Sequence, residues 1–437
     1  MKNKLILQGA AFLLIAGSVA AAQAAPLPLR ECLTEALSNN PLLTEGRLAV
    51  AAGKQGVMGA AAKRFPRITF DSNYTKRQNP FPFVPAEGLT IPAHFSDEFA
   101  SWQAALTIPI YQGGQIENGI KLAEMRKTIQ EDTLTLTRNE IIANTVNTYN
   151  KLIQLGKLRE ASLASVKALE EQRKNAELLL NLGRMARVDL LKVEVQLANE
   201  RQRLANLEEG IATTRETLAY FMGRSVDTGE SAIEPEGELS FAPVTVDFDR
   251  GLISARERLP EYLIARDGLD ETELIIRITK GKTLPTLSAF GSYQDQFGFN
   301  PSYTEGNWFF GLNVSIPLFD RPLYADLSRD RILHERAATH LVSVENRIRL
   351  DIRTALTSIA DSKGRAESSR EAVRQADESF RIEREKYAAG AGAMVDLLLA
   401  QAADFTAVAN YTQSLYDYNA AIVAYRKATG ILEDYLK

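Results

Sequence analysis

The 437-residue chain has a single cysteine, Cys32, so it can form no internal disulfide and no cysteine-built metal cluster. Its three histidines, His94, His334 and His340, are scattered along the chain, which argues against a histidine metal site. A glycine-rich phosphate loop, a Ser/His/Asp set and zinc-ligand spacing are all missing, so an enzyme or a cofactor-bound protein is a poor reading. Positive charge is short as well: 51 Lys and Arg stand against 55 Asp and Glu, a net charge of −4, which suits no nucleic-acid partner. No segment past the N-terminus offers about eighteen consecutive apolar residues, so no transmembrane helix is expected. Proline is absent from Ile110 to Glu234 and again from Leu323 to the end, runs that long helices sustain.

Residues 1–24 read as a signal peptide for export. Lys2 and Lys4 supply the positive start, Leu5 to Val19 the short apolar stretch, and Ala22-Gln23-Ala24 the small-residue cleavage site. Cys32 follows Leu29-Arg30-Glu31, a charged setting where lipidation needs small residues, and is read as an unmodified helix residue. An exported chain without an apolar helix can span a membrane only with strands.

The chain is written twice. Asn40-Pro41-Leu42 returns as Leu259-Pro260-Glu261, Phe65-Pro66-Arg67-Ile68 as Leu284-Pro285-Thr286-Leu287, and Thr107-Ile108-Pro109-Ile110-Tyr111 as Ser315-Ile316-Pro317-Leu318-Phe319. Gly183 with Val188-Asp189-Leu190-Leu191 returns as Gly390 with Val395-Asp396-Leu397-Leu398. The first repeat is placed at 25–223, with a leading helix 29–62, strands 67–77 and 99–110 and helices 115–182 and 188–222. The second is placed at 250–437, with a leading helix 250–281, strands 286–297 and 307–317 and helices 323–389 and 393–428. An acidic segment with Pro235 and Pro243, residues 224–249, reads as a solvated connector. In each repeat the two shorter helices together match the longer one, about 100 Å at 1.5 Å per residue, so they stack end to end beside it.

Heptad stripes run along the helices: Leu190, Leu197, Leu204, Ile211 and Leu218 form one, and Leu191, Ala198, Ala205, Ala212 and Ala219 lie beside it. Two adjacent stripes imply neighbours on two sides, as in a wall of helices curved into a cylinder. The strands alternate. Ile68, Phe70 and Tyr74 face one way against Thr69, Asp71 and Asn73, and Trp308, Phe310, Leu312 and Val314 oppose Asn307 and Asn313. Phe290 and Phe309 break the polar rows. Such strands suit either one face of a soluble core or a tilted span of bilayer, and the export signal with the long helices favours the bilayer. Transmembrane barrels start at about eight strands, so several copies must share one; sequence arithmetic leaves two copies and three both open.

These features together resemble the TolC family of outer-membrane efflux ducts over nearly the whole mature chain. The resemblance rests on Ala36-Leu37 with Asn39-Asn40-Pro41, on Pro66, on Pro109-Ile110-Tyr111-Gln112-Gly113-Gly114 with Pro317-Leu318-Phe319-Asp320, and on the two Gly…Val-Asp-Leu motifs. It implies a membrane α+β fold: a homotrimer with a 12-stranded outer-membrane β-barrel, four strands per chain, continued by a 12-helix periplasmic α-barrel. It implies a passive exit duct of an efflux or type I secretion system, working with a periplasmic adaptor (membrane fusion protein) and an inner-membrane pump. A non-conducting envelope-spanning scaffold is the alternative, and no cofactor or metal is expected.

Within that frame Asp396 and Asp189 are candidates for a ring of carboxylates at the periplasmic constriction. By resemblance, Asp396 lies where the family's constriction carries aspartates, while the second aspartate common there is replaced by Leu399. The plain alternative is that each carboxylate complements a helix N-terminus, worth about 0.3–1 kcal/mol. Gly183, Arg184, Val188, Gly390, Ala393 and Val395 match the region that docks the adaptor. The arginine that often occupies the second tip has no counterpart at Gly392.

Overall fold

A computed structural model describes residues 26–83, 94–225, 233–299 and 302–436. The signal peptide, residues 84–93 and residues 226–232 of the connector lie outside the described residues. The chain opens with β1 (Pro26–Leu27), α1 (Leu29–Asn39) and α2 (Pro41–Ala62), then β2 (Arg67–Phe83) and β3 (His94–Gln112). Next come the long α3 (Gln115–Asn181) and α4 (Arg187–Phe221), followed by β4 (Glu234–Pro235). The second repeat supplies α5 (Phe248–Arg258), α6 (Pro260–Gly281), β5 (Thr286–Phe299), β6 (Ser302–Ser315), α7 (Arg321–Ala388) and α8 (Met394–Thr429).

The expected leading helices 29–62 and 250–281 are each broken once, and the break falls before a proline in both. Asn40 and Leu259 take extended backbone angles, with ψ of 125° and 117°. Proline disfavours a helical residue before it, yet fits well as the first residue of the next helix. Asn40 then caps α2, its Oδ1 accepting from the Leu42 amide at 3.0 Å, while its Nδ2 donates to the Phe221 carbonyl at 2.9 Å. One side chain thus starts α2 and fastens it to the end of α4.

Four antiparallel strands form one sheet in the order β2-β3-β5-β6. The register places Phe70, Ala104, Tyr293 and Trp308 in one row and Ile68, Leu106, Gly291 and Phe310 in the next. That face is apolar and left open: Ile68 is 75% exposed, Phe310 78% and Leu312 67%. Aromatic rings run along it, Phe70 stacked on Trp102 at 5.8 Å and Trp102 tilted against Tyr293 at 5.2 Å. The opposite face carries Thr69, Asp71, Gln103, Ser292 and Asn313. Phe290 and Phe309, the two breaks in the polar rows, meet each other edge to face at 6.1 Å. Gly311 makes room, because a Cβ there would come within 2.9 Å of the Phe290 ring. The strands are also longer than the alternation alone indicated, since pairing outlasts the alternation.

The helices form a wall. Around the sheet end, α2, α3, α6 and α7 lie side by side; further along, the order is α4, α3, α8 and α7. The α3–α8 contact therefore joins the two repeats. Polar side chains cross it: Gln154 Nε2 donates to Gln413 Oε1 at 2.6 Å, and Gln413 Nε2 donates to Asp417 Oδ1 at 2.7 Å. Arg365 of α7 completes the chain at 2.9 Å from Asp417. Glu200, 1% exposed, is held by the Ser162 hydroxyl at 2.7 Å and by Arg203 at 2.9 Å.

The connector is less solvated than its composition indicated. β4 pairs in parallel with β1, and Ile233 is buried beside Leu152, Leu218 and Met222. Tyrosines reach out from the long helices to fasten it: the Tyr149 hydroxyl accepts from the Glu236 amide at 2.9 Å and shares its one proton between the Leu27 and Glu236 carbonyls, Tyr418 donates to the Ala242 carbonyl at 2.8 Å, and Tyr425 to that of Asp247 at 2.8 Å. Cys32 sits fully buried in α1, and burial pushes its thiol up to about 11.

Replacing Asn40 by Ala removes a cap and a bond between helices, so Asn40→Ala should cost about 1–3 kcal/mol. A chemical or thermal melt of the purified protein reads this as a lower midpoint with unchanged helix content.

Candidate functional site

The two hairpin tips are built by the same rules. After α3, Gly183 takes a positive φ of 66° and its amide donates to the Leu180 carbonyl, while Arg184 N–H reaches back to the Leu179 carbonyl at 2.8 Å. After α7, Gly390 has φ 73°, and Ala391 N–H reaches the Lys386 carbonyl at 2.9 Å. Both are glycine-terminated helix ends of the kind an L side chain strains. The chain returns through Ala186 and Ala393, extended residues that cap nothing with their side chains. Gly392 has a local reason too: a Cβ there would lie 3.0 Å from the Tyr387 amide nitrogen.

Asp189 and Asp396 occupy the same place, the third residue of α4 and of α8. A carboxylate there faces the positive end of the helix dipole, so this stabilisation acts at both sites. Their surroundings differ. Asp189 is half-buried and its Oδ1 lies 3.0 Å from Lys192 Nζ on the next turn. Asp396 is exposed, and among the described residues nothing pairs with its carboxylate. Arg184 and Arg187 are exposed beside the first tip.

The tips touch through an apolar knot that the sequence did not single out. Val193 of α4 packs with Met394 and Leu397 of α8, with Met185, Phe380, Tyr387 and Leu398 around them. Tyr387 is half-buried with its hydroxyl enclosed and without a partner, and burial, with the charge of Asp189 adding, holds that phenol above its usual range. Beside the knot lies an open groove of about 420 Å³ between α4 and α8. Val188, Leu191 and Val195 line one wall, Val395, Leu398 and Leu399 the other. Two expected docking residues, Val188 and Val395, thus share one groove. Leu399, 64% exposed, had no role from sequence, and only its apolar character beside Val395 could have marked it.

No helix among the described residues is long and apolar enough to cross a membrane, and no group of acidic, histidine or cysteine side chains among them could hold a metal ion. The sheet presents one open apolar face. A family model described as outer membrane efflux protein matches residues 32–224 and 254–431, one stretch per repeat. The chain belongs to the outer membrane efflux protein family.

Relatives agree with that assignment. The cobalt-zinc-cadmium resistance protein CzcC of Cupriavidus metallidurans is 23% identical over 380 residues, covering 85% of this chain and 86% of that one. The outer membrane efflux protein BepC of Brucella suis is 23% identical over 432 residues, covering 96% and 89%. The fold matches the outer membrane protein VceC of Vibrio cholerae with a TM-score of 0.77 at 17% identity, over 92% of this chain and 96% of that one. This efflux protein is therefore a non-enzymatic outer-membrane channel, its sheet in the membrane and its helices extending through the periplasm.

Truncating the knot should loosen the tip of this efflux protein without touching its sheet. Leu397, 2% exposed, loses its packing in Leu397→Ala at a cost of about 2–4 kcal/mol. Limited proteolysis should then cut faster at 182–188 and 389–395, with resistance of the strands unchanged.

Proposed function

We propose that three copies of this channel share one barrel and one helical duct, and that the duct receives cargo from an inner-membrane pump through a periplasmic adaptor. The observation that carries the reading is the sheet. Its edge strands β2 and β6 are unpaired within the chain, and its apolar face is open. In lipid each unpaired backbone group costs several kcal/mol, so the edges demand partner strands. Further copies of the same chain supply them by joining β6 of one to β2 of the next, and with four strands each, three copies make the trimer the family resemblance implies. The polar face then lines a wet interior. The Cupriavidus relative, a cobalt-zinc-cadmium resistance protein, supports expulsion of toxic solute as the purpose.

At the far end, three copies of Asp396 would ring the constriction, each carboxylate unpaired within its own chain. Asp189, already neutralised by Lys192, contributes less. The groove between Val188 and Val395, rimmed by Lys192 and Gln196, offers the adaptor an apolar seat with polar edges. Gly183, Arg184, Gly390 and Ala393, at the two hairpin tips, would complete the docking region beside it.

Single-channel recording in a planar bilayer tests the duct and its gate together. The wild-type protein should show small, cation-preferring openings, and Asp396→Ala should open wider with weaker preference. Unchanged conductance and selectivity would remove Asp396 from the gate, and silence in both proteins, even after the tip is forced apart, would favour a scaffold. For docking, Leu399→Glu should abolish copurification of a periplasmic adaptor while leaving the assembled channel intact; undiminished adaptor recovery would move the seat elsewhere.

A further inference from the structure

The two repeats differ where their short helices abut. In the first, Asn40-Pro41-Leu42 begins α2, and Asn40 bonds the last turn of α4. In the second, Leu259-Pro260-Glu261 begins α6 where α8 ends, and Leu259 offers no such bond. The carboxylate that replaces Leu42 is not on the surface. Glu261 is half-buried, and its enclosed Oε2 has no hydrogen-bond partner among the described residues. It lines a cleft of about 860 Å³ that runs between α7 and α8 from this junction down to Arg365 and Asp417.

The charged groups facing Glu261 come from three helices. Glu140 of α3 and Asp351 of α7 disfavour its ionised form, Lys427 of α8 favours it, and Arg347 is drawn to Asp351 at 3.8 Å. The α5–α6 turn adds only Leu259 to the lining. At the lower end Arg365 is already shared between Asp361 at 3.0 Å and Asp417 at 2.9 Å. Burial is the largest influence; a hydrogen bond from its own backbone amide and the charge of Lys427 oppose it, and the balance holds the carboxyl above its ordinary range.

We propose that the α6–α8 junction is a proton-sensitive joint, tightened when Glu261 is protonated and loosened when it is ionised. The sign follows from linkage. An acid that binds its proton more firmly folded than unfolded weakens the folded state above its folded pKa, and that loss is recovered as pH falls through this value towards the ordinary one, about 4.3. Because α8 runs from this joint to Asp396, the proton sets how firmly the upper end of that helix is held. The inference stands on the junction's geometry and does not depend on the proposed cargo route.

The test compares the purified, full-length channel with Glu261→Gln and Glu140→Gln between pH 8 and pH 5. Glu261→Gln should melt above wild type at pH 8, and the gap should close as pH falls. At pH 8 it should also slow amide exchange several-fold at 259–263 and 425–430, with the tips unchanged. Glu140→Gln, an exposed substitution, should displace the wild-type acid stabilisation to lower pH. A gap that stays constant with pH, or a Glu261→Gln protein that melts below wild type at pH 8, would overturn the proposal. Should Glu261→Gln fail to assemble, a Glu140→Gln profile identical to wild type would do the same.

Discussion

The unpaired edges of a four-stranded sheet govern the rest of the molecule. A strand edge in lipid has no water to satisfy its amides and carbonyls, so β2 and β6 can rest in a membrane only against other strands. One chain therefore cannot be the working unit. The same requirement reaches the helices, because a wall of four that ends at α4 and α7 is itself an arc with open edges, and whatever closes the sheet closes the wall. Exposed apolar residues agree with this: Trp308 and Phe310 on the sheet, Leu48 and Met58 on α2 and Ile332 and Val342 on α7 are all left uncovered within one chain.

Duplication gives the wall its regularity, and departures from it mark where the two halves work differently. Both tips reverse through a glycine with positive φ and place an aspartate third in the returning helix. Yet Asp189 is tied to Lys192 while Asp396 is left open. Both short-helix junctions begin with proline, yet Asn40 fastens one and Glu261 leaves one carboxylate oxygen without a partner in the other. The asymmetry falls on the second repeat at each end of α8.

Much of this was legible in the sequence because it rests on local rules. Proline-free runs, divided at the repeated tip glycines, pointed to α3, α4, α7 and α8, and alternation pointed to the four long strands. The expectation of single helices over 29–62 and 250–281 overlooks the prolines after Asn40 and Leu259, where each helix breaks. What was not legible depends on contacts distant in the chain. Phe290 and Phe309 look like errors in a polar row until the register brings them together over Gly311. The connector's acidic composition gave no sign that Tyr149, Tyr418 and Tyr425 would hold it to the helices. At the tips, the aspartates and glycines were found from their repeat, whereas the knot of Val193, Met394 and Leu397 required knowing that α4 and α8 meet.

Cross-linking between the two sheet edges tests the central claim most directly. With Cys32 buried, cysteines introduced in pairs, one on β2 and one on β6 of each chain, report contacts between copies cleanly. Oxidation in membranes should give a ladder of covalent species that stops at three chains, from pairs that follow one continuous strand register. A ladder that stops at two, or chains that stay single with every pair tried, would contradict the account.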